Sequence, residues 1–96
     1  MTTVVIILAP SVDEFSDWCV TTAQLFGGRP VMDLTNKRLR CGQKVYHYVS
    51  SVEQLRGYGR DTRVVTLGNW EHATEERWEI RRKAEERFRV AVLLSE

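Results

Sequence analysis

Val4-Val5-Ile6-Ile7-Leu8-Ala9-Pro10-Ser11-Val12-Asp13-Glu14 is the stretch that decides the fold. Val4 to Leu8 has no polar alternation, so it reads as a strand buried on both faces, which belongs in the middle of a parallel sheet. Ser11 stands three residues before Glu14. The serine can accept the Glu14 N–H while the Glu14 carboxylate bonds back to the Ser11 N–H, so the strand runs straight into a capped helix. The pattern recurs: Val45-Tyr46-His47-Tyr48-Val49 leads into Ser50-Ser51-Val52-Glu53-Gln54, with Ser50 and Glu53 in the same relation. A third apolar run, Val64-Val65-Thr66-Leu67, passes through Gly68-Asn69-Trp70 into a charged helix. The order is β-α-β-α-β-α.

Strands joined by helices are parallel and cross over right-handedly. With the most apolar strand central, the expected order is 2-1-3. That is a small three-layer α/β domain over residues 1–96 with a three-stranded parallel sheet, a truncated Rossmann-like or flavodoxin-like arrangement. Strand one is Val4–Leu8, strand two Lys44–Val49 and strand three Arg63–Leu67. Strand two alternates Val45, His47 and Val49 with Tyr46 and Tyr48, which suits a position nearer an edge. Helix one is expected from Val12 to Phe26, with Phe15, Trp18, Cys19, Thr22, Leu25 and Phe26 as its apolar stripe. Gly27-Gly28 supplies a left-handed stop and Pro30 prevents resumption. Helix two is short, from Ser51 to Arg56. The last helix starts near Thr74 with a seam of Trp78, Arg81 (through its stem), Ala84, Phe88, Ala91 and Val92. Glu79–Lys83 and Glu85–Arg89 are ion pairs in prospect on its outer face. Residues 29–43 read as a long loop, or as a short edge strand at Val31–Leu34 and another near Leu39. The tail Val90–Leu94 has no breaker before it, so a continuing helix is favoured over a fourth strand.

A chain of 96 residues with 14 basic and 13 acidic side chains has no overall field for nucleic acid or an anionic membrane. Its longest apolar stretch, Val4 to Pro10, is far short of the roughly 20 residues that span a bilayer, and without a basic leader it does not read as a signal peptide. A cytoplasmic location is expected, with Cys19 and Cys41 as free thiols. The phosphate-loop signature is absent. Gly57-Tyr58-Gly59 opens a GxG pattern, but it lacks the third glycine and precedes a strand. Cys19, Cys41, His47 and His72 are too scattered for a zinc site. Asp13 and Glu14 are explained as helix-opening carboxylates. Neither metal nor cofactor is expected, and no catalytic residue stands out.

Three surfaces remain as candidates. Loops at the carboxyl ends of the strands would gather Ser11, Asp13, Ser50, Asn69 and Trp70 at a crevice suited to a nucleotide or phosphate-like ligand. Lys37, Arg38, Arg40 and Lys44, with Tyr46 and Tyr48 nearby, offer a face for single-stranded nucleic acid. Val92, Leu93 and Leu94 end the chain as apolar surface for a second copy or a protein partner.

Several stretches together resemble a group of small uncharacterised proteins encoded by phages of actinobacteria: VVIILAPS at the start, EFSDWC in the first helix, then YHYVSSVEQLRGY and VVTLGNW. The resemblance implies a non-structural accessory protein of the host cytoplasm. It brings no activity and no catalytic residues. The expected function is that of a non-enzymatic interaction module acting on itself or on a host or phage protein.

Overall fold

The structure, a computed structural model, describes residues 2–92. Along them run β1 (Thr3–Leu8), α1 (Val12–Leu25), β2 (Val31–Asp33), β3 (Arg38–Cys41), β4 (Lys44–Tyr48), α2 (Val52–Leu55), β5 (Arg63–Thr66), α3 (Glu75–Arg87) and β6 (Val90–Val92). The chain is α/β. The strands form one sheet in the order β2-β3-β4-β1-β5-β6. β1 pairs parallel with β4 on one side and β5 on the other, and β6 is parallel to β5. β3 pairs antiparallel with β4 on one side and with β2 on the other. The expected three-stranded parallel sheet is therefore corrected to a six-stranded mixed one. The order β4-β1-β5 sits at its centre.

The unbroken apolar run of β1 follows from having a core on each face. Val5 and Ile7 pack with Phe15 and Cys19 of α1, while Ile6 and Leu8 pack with Leu55 of α2 and Ile80 and Ala84 of α3. Three layers result: α1, the sheet, then α2 with α3. β4 has a neighbour on each side, so its placement near an edge is also corrected. Its tyrosines and His47 are partly or fully buried because both faces are covered.

Residues 29–43 are not a loop. They hold β2 and β3, and local chemistry makes the turns. The Asn36 N–H and side-chain amide donate to the Asp33 carboxylate at 3.1 and 2.8 Å, and Lys37 takes φ 52° at the end of that turn. Between β3 and β4 the two-residue turn Gly42-Gln43 has Gly42 at φ 63°. That is the first central position, where a hairpin turn of type II′ requires glycine.

Helix ends differ from expectation in three places. Ser11 does accept the Glu14 N–H, at 3.2 Å, but the Glu14 carboxylate turns away to the Asn69 N–H. At α2 the cap position is Ser51, with no side-chain bond, and the Gln54 amide oxygen accepts the Ser50 N–H at 2.6 Å. α1 ends with Phe26 extended at φ −77°, and neither Gly27 nor Gly28 is left-handed. A Cβ on Gly28 would lie 2.8 Å from the Phe26 ring, so that glycine makes room for an aromatic plug. Leu25, counted in the stripe, is 83% exposed.

α3 buries Arg77, Ile80 and Ala84; of the expected seam Ala84 and Phe88 are core residues, while Trp78 and Arg81 are half-buried beside them. The pairs Glu79–Lys83 and Glu85–Arg89 do not form. Among the described residues Arg81–Glu85, Arg82–Glu75 and Lys83–Glu86 come within 3.8–3.9 Å instead. After Arg87 the chain extends at Phe88, whose ring enters the core, and Val90–Val92 forms β6 rather than more helix. β5 offers an open edge there, and the Thr66 hydroxyl donates to the Ala91 carbonyl at 3.4 Å. Leu93 and Leu94 lie outside the described residues.

The two serines should part company on substitution. Ser11→Ala should lower stability by about 1 kcal/mol through its lost cap, whereas Ser50→Ala should change it by no more than about 0.5 kcal/mol. Urea midpoints of the two variants test this, and equal losses would contradict it.

Candidate functional site

β1, β4 and β5 point their carboxyl ends to one edge of the sheet, and α1, α2 and α3 begin there. Of the five residues expected at this crest, all but Asp13 are already engaged within the fold. Ser11 caps α1. Asp13 is exposed in the first turn of α1. The N–H of Ser50 goes to Gln54. The Asn69 N–H donates to Glu14 Oε1 at 3.4 Å, while its side-chain oxygen accepts the Glu71 N–H at 2.9 Å. Trp70 is a core residue. It is 7% exposed, its indole N–H donates to the Leu67 carbonyl at 3.0 Å, and its ring lies 5.4 Å from that of Trp78.

Glycine decides how closely α1 and β5 approach. Gly68 has φ 81°, and a Cβ there would stand 2.9 Å from Pro10 Cδ and 3.0 Å from Glu14 Oε1. The helix starts at this edge carry Asp13, Glu14, Glu53, Glu75 and Glu76 in their first turns. These carboxylates occupy the positive ends of the helix dipoles and repel a phosphate that would otherwise bind there.

The residue that organises the crest is Arg77, absent from the expected set. Its Nε and Nη2 donate to the Ala9 carbonyl at 3.1 and 2.8 Å, and Nη1 donates to the Val49 carbonyl at 2.6 Å. The guanidinium lies over the Tyr48 ring at 4.5 Å. Burial pulls its pKa down, but a guanidinium stays charged throughout the range in which proteins fold. The sequence signal was Arg77 in line with Ile80 and Ala84, at helical spacings of three and four.

The four basic residues expected to act together are divided. Leu39 and Cys41 pack toward α1, so Arg38 and Arg40, alternating with them, lie on the opposite face of β3. Lys37 sits in the turn before β3. Lys44 pairs with Cys41, at the end of the hairpin remote from the crest. Tyr46 is half-buried against Trp18, and Tyr48 lies beneath Arg77. A second group of cations, unmarked in the sequence, meets between α2 and α3. A groove of about 480 Å³ there is lined by Arg56, Arg60, Lys83 and Arg87, with Glu86 the one carboxylate. The Arg87 guanidinium ties its walls by donating to the Tyr58 carbonyl at 2.8 Å.

His47, on β4, is hydrogen-bonded through Nδ1 to the Tyr58 hydroxyl. Burial first, and the Arg38 charge second, hold this imidazole below its ordinary value. The two cysteines are free and buried; burial, with Cys41 nearby, pushes the Cys19 thiol up to about 12, and burial also raises Cys41. Both thiols stay protonated near neutrality, a poor state for a nucleophile. Among the described residues no three His, Cys, Asp or Glu side chains gather as metal donors, and no helix is long and apolar enough to cross a membrane.

Compared with protein families, curated proteins and solved structures, the chain matches none.

Arg77→Met should leave two strand-end carbonyls without their donors, a loss of about 2–6 kcal/mol at about 1–3 kcal/mol for each unsatisfied acceptor. Arg77→Lys should recover only part of it, since one ammonium cannot span both carbonyls. Chemical denaturation of the pair checks this, and an unchanged midpoint for Arg77→Met would refute the clamp.

The His47 environment makes stability depend on pH. Its folded pKa lies below the unfolded value of about 6.5, so the unfolded chain binds the proton more readily. The contribution is complete above about pH 6.5 and is lost as pH falls from there through the lower folded value. Melting temperatures of the parent between pH 7.5 and 5 should fall more steeply than those of His47→Gln. Parallel curves would contradict the assignment.

Proposed function

We propose that this chain is a binding module that works by contact along an open edge of its sheet, pairing with a second copy or with a strand of a protein partner. The observation that carries it is the β6 edge. β6 has three residues, bonds to β5 on one side, and has no strand on its other side among the described residues. Val92 there is 63% exposed. An unpaired edge of apolar, β-branched residues is a template for another strand, and its side chains leave water when one arrives. The opposite edge, β2, is also short, with Val31 60% exposed. The crest supports a ligand less well, because the polar atoms of Ser11 and Asn69 are spent inside the fold and the helix starts bear carboxylates.

Size-exclusion chromatography with light scattering on the full chain tests this. The parent should be a dimer or larger at high micromolar concentration. Val92→Glu, a change at an exposed side chain, should make it monomeric without lowering the melting temperature, while Val31→Glu should leave the mass unchanged. A parent that is monomeric at every concentration would overturn self-association, and a mass lost with Val31→Glu alone would move the contact to β2.

A further inference from the structure

The charge of this protein is balanced in sum and divided in space. Carboxylates crowd the crest, where the helices start. Cations collect at the opposite edge and between α2 and α3. The groove lined by Arg56, Arg60, Lys83 and Arg87 adjoins a second of about 660 Å³ through Arg60, and that one adds Arg63 and Arg89 with Asp61. Six cations meet two carboxylates along this surface, in a chain whose totals are 14 and 13. Arg87 also answers the negative end of the α3 dipole. Arg60, Arg63 and Arg89 lie outside any helix and have no such reason to be there. Among the described residues Arg56, Arg60, Arg63 and Arg89 have no carboxylate within ion-pair distance. The band continues across the sheet: Arg87 bonds the Tyr58 carbonyl, the Tyr58 hydroxyl bonds His47, and Arg38 is the cross-strand partner of His47.

We infer that this band is a site for the phosphodiester backbone of a nucleic acid. It runs through two adjoining grooves that share Arg60, so its cations are divided between them instead of converging on one point, which fits a chain of phosphates better than a single anion. Arginine gives each phosphate a forked set of donors. The tryptophans lie away from the band, two of them against Arg81 and one against Tyr46. Recognition therefore rests on charge and is independent of base sequence. The band borders β6, since Val90 and Ala91 line its second groove, but its cations are not residues of that strand and the site does not depend on the edge contact.

Fluorescence anisotropy of a labelled 20-nucleotide single strand and its duplex, with the full chain, tests the site. If four phosphates are neutralised, raising salt from 50 to 200 mM should weaken binding by about 50-fold for the single strand and about 150-fold for the duplex. The double variant Arg56→Gln, Arg60→Gln should bind more weakly at 50 mM and lower the salt slope by about 1.5, because two phosphate contacts are gone. The double variant Arg29→Gln, Arg82→Gln removes the same charge at residues that line neither groove and should bind as the parent does. Melting curves should show every variant folded. Absence of binding at 50 mM would overturn the proposal, as would equal weakening in both double variants. Displacement by millimolar inorganic phosphate, or a five-nucleotide strand binding as tightly as the longer one, would show a single-anion pocket and overturn it too.

Discussion

The Arg77 guanidinium donates to the carbonyls of Ala9 and Val49, and the upper end of the fold depends on those bonds. Parallel strands leave carbonyls at their carboxyl ends with no further ladder to join. Here one side chain from the first turn of α3 serves two strands at once and draws the helix down onto the sheet. The same contact fixes the rotation of α3, so that Ile80, Ala84 and Phe88 face Ile6 and Leu8. Thr74 supports it from behind by capping α3 through the Arg77 N–H at 3.2 Å. A buried arginine without a carboxylate is costly unless its donors are met. Three of them are met by backbone, and the face of the ion rests on Tyr48.

α3 carries a second cation in a different setting. Arg81 lies over the rings of both Trp70 and Trp78, at 5.0 and 5.2 Å, with the Glu85 carboxylate 3.8 Å away. Its Nε is buried without a hydrogen-bond partner among the described residues. The aromatic faces attract the charge but do not replace a lone pair. Arg77 therefore holds the helix to strand ends, while Arg81 joins two large side chains into a wall.

What could be seen in the sequence was whatever a single segment determines by itself. Val4–Leu8 announces burial on both faces, and Ser11 with Glu14 announces a helix start. What could not be seen depended on distant partners. Glu14 looks like half of a reciprocal cap, yet Asn69 competes for its carboxylate and wins. Val90–Val92 follows a helix without a breaker, but the open edge of β5 and the anchoring of Phe88 convert it to a strand. The β2–β3 hairpin was half legible. Arg38-Leu39-Arg40-Cys41 alternates with a period of two, and its turns are made by Asp33–Asn36 and by Gly42, where cations and the single apolar Leu39 obscured the pattern. Among the expected site residues, Ser11 and Asn69 come together through Glu14, while the basic set was split because alternate residues of a strand face opposite ways. The groove cations come from two distant stretches, Arg56 with Arg60 and Lys83 with Arg87, and no local spacing could unite them.

The position of β1 has a consequence for how the chain is made. Its neighbours are β4 and β5, which pair through Thr3 opposite Lys44 and Val5 opposite Arg63. During synthesis β1 leaves the ribosome before either of them, while the β2–β3–β4 meander needs only near neighbours. The most aggregation-prone segment thus appears before both of the strands that cover its edges. A nascent chain must keep Val4–Leu8 out of intermolecular contact until some sixty residues have followed, a span on the order of several seconds at the usual pace of translation.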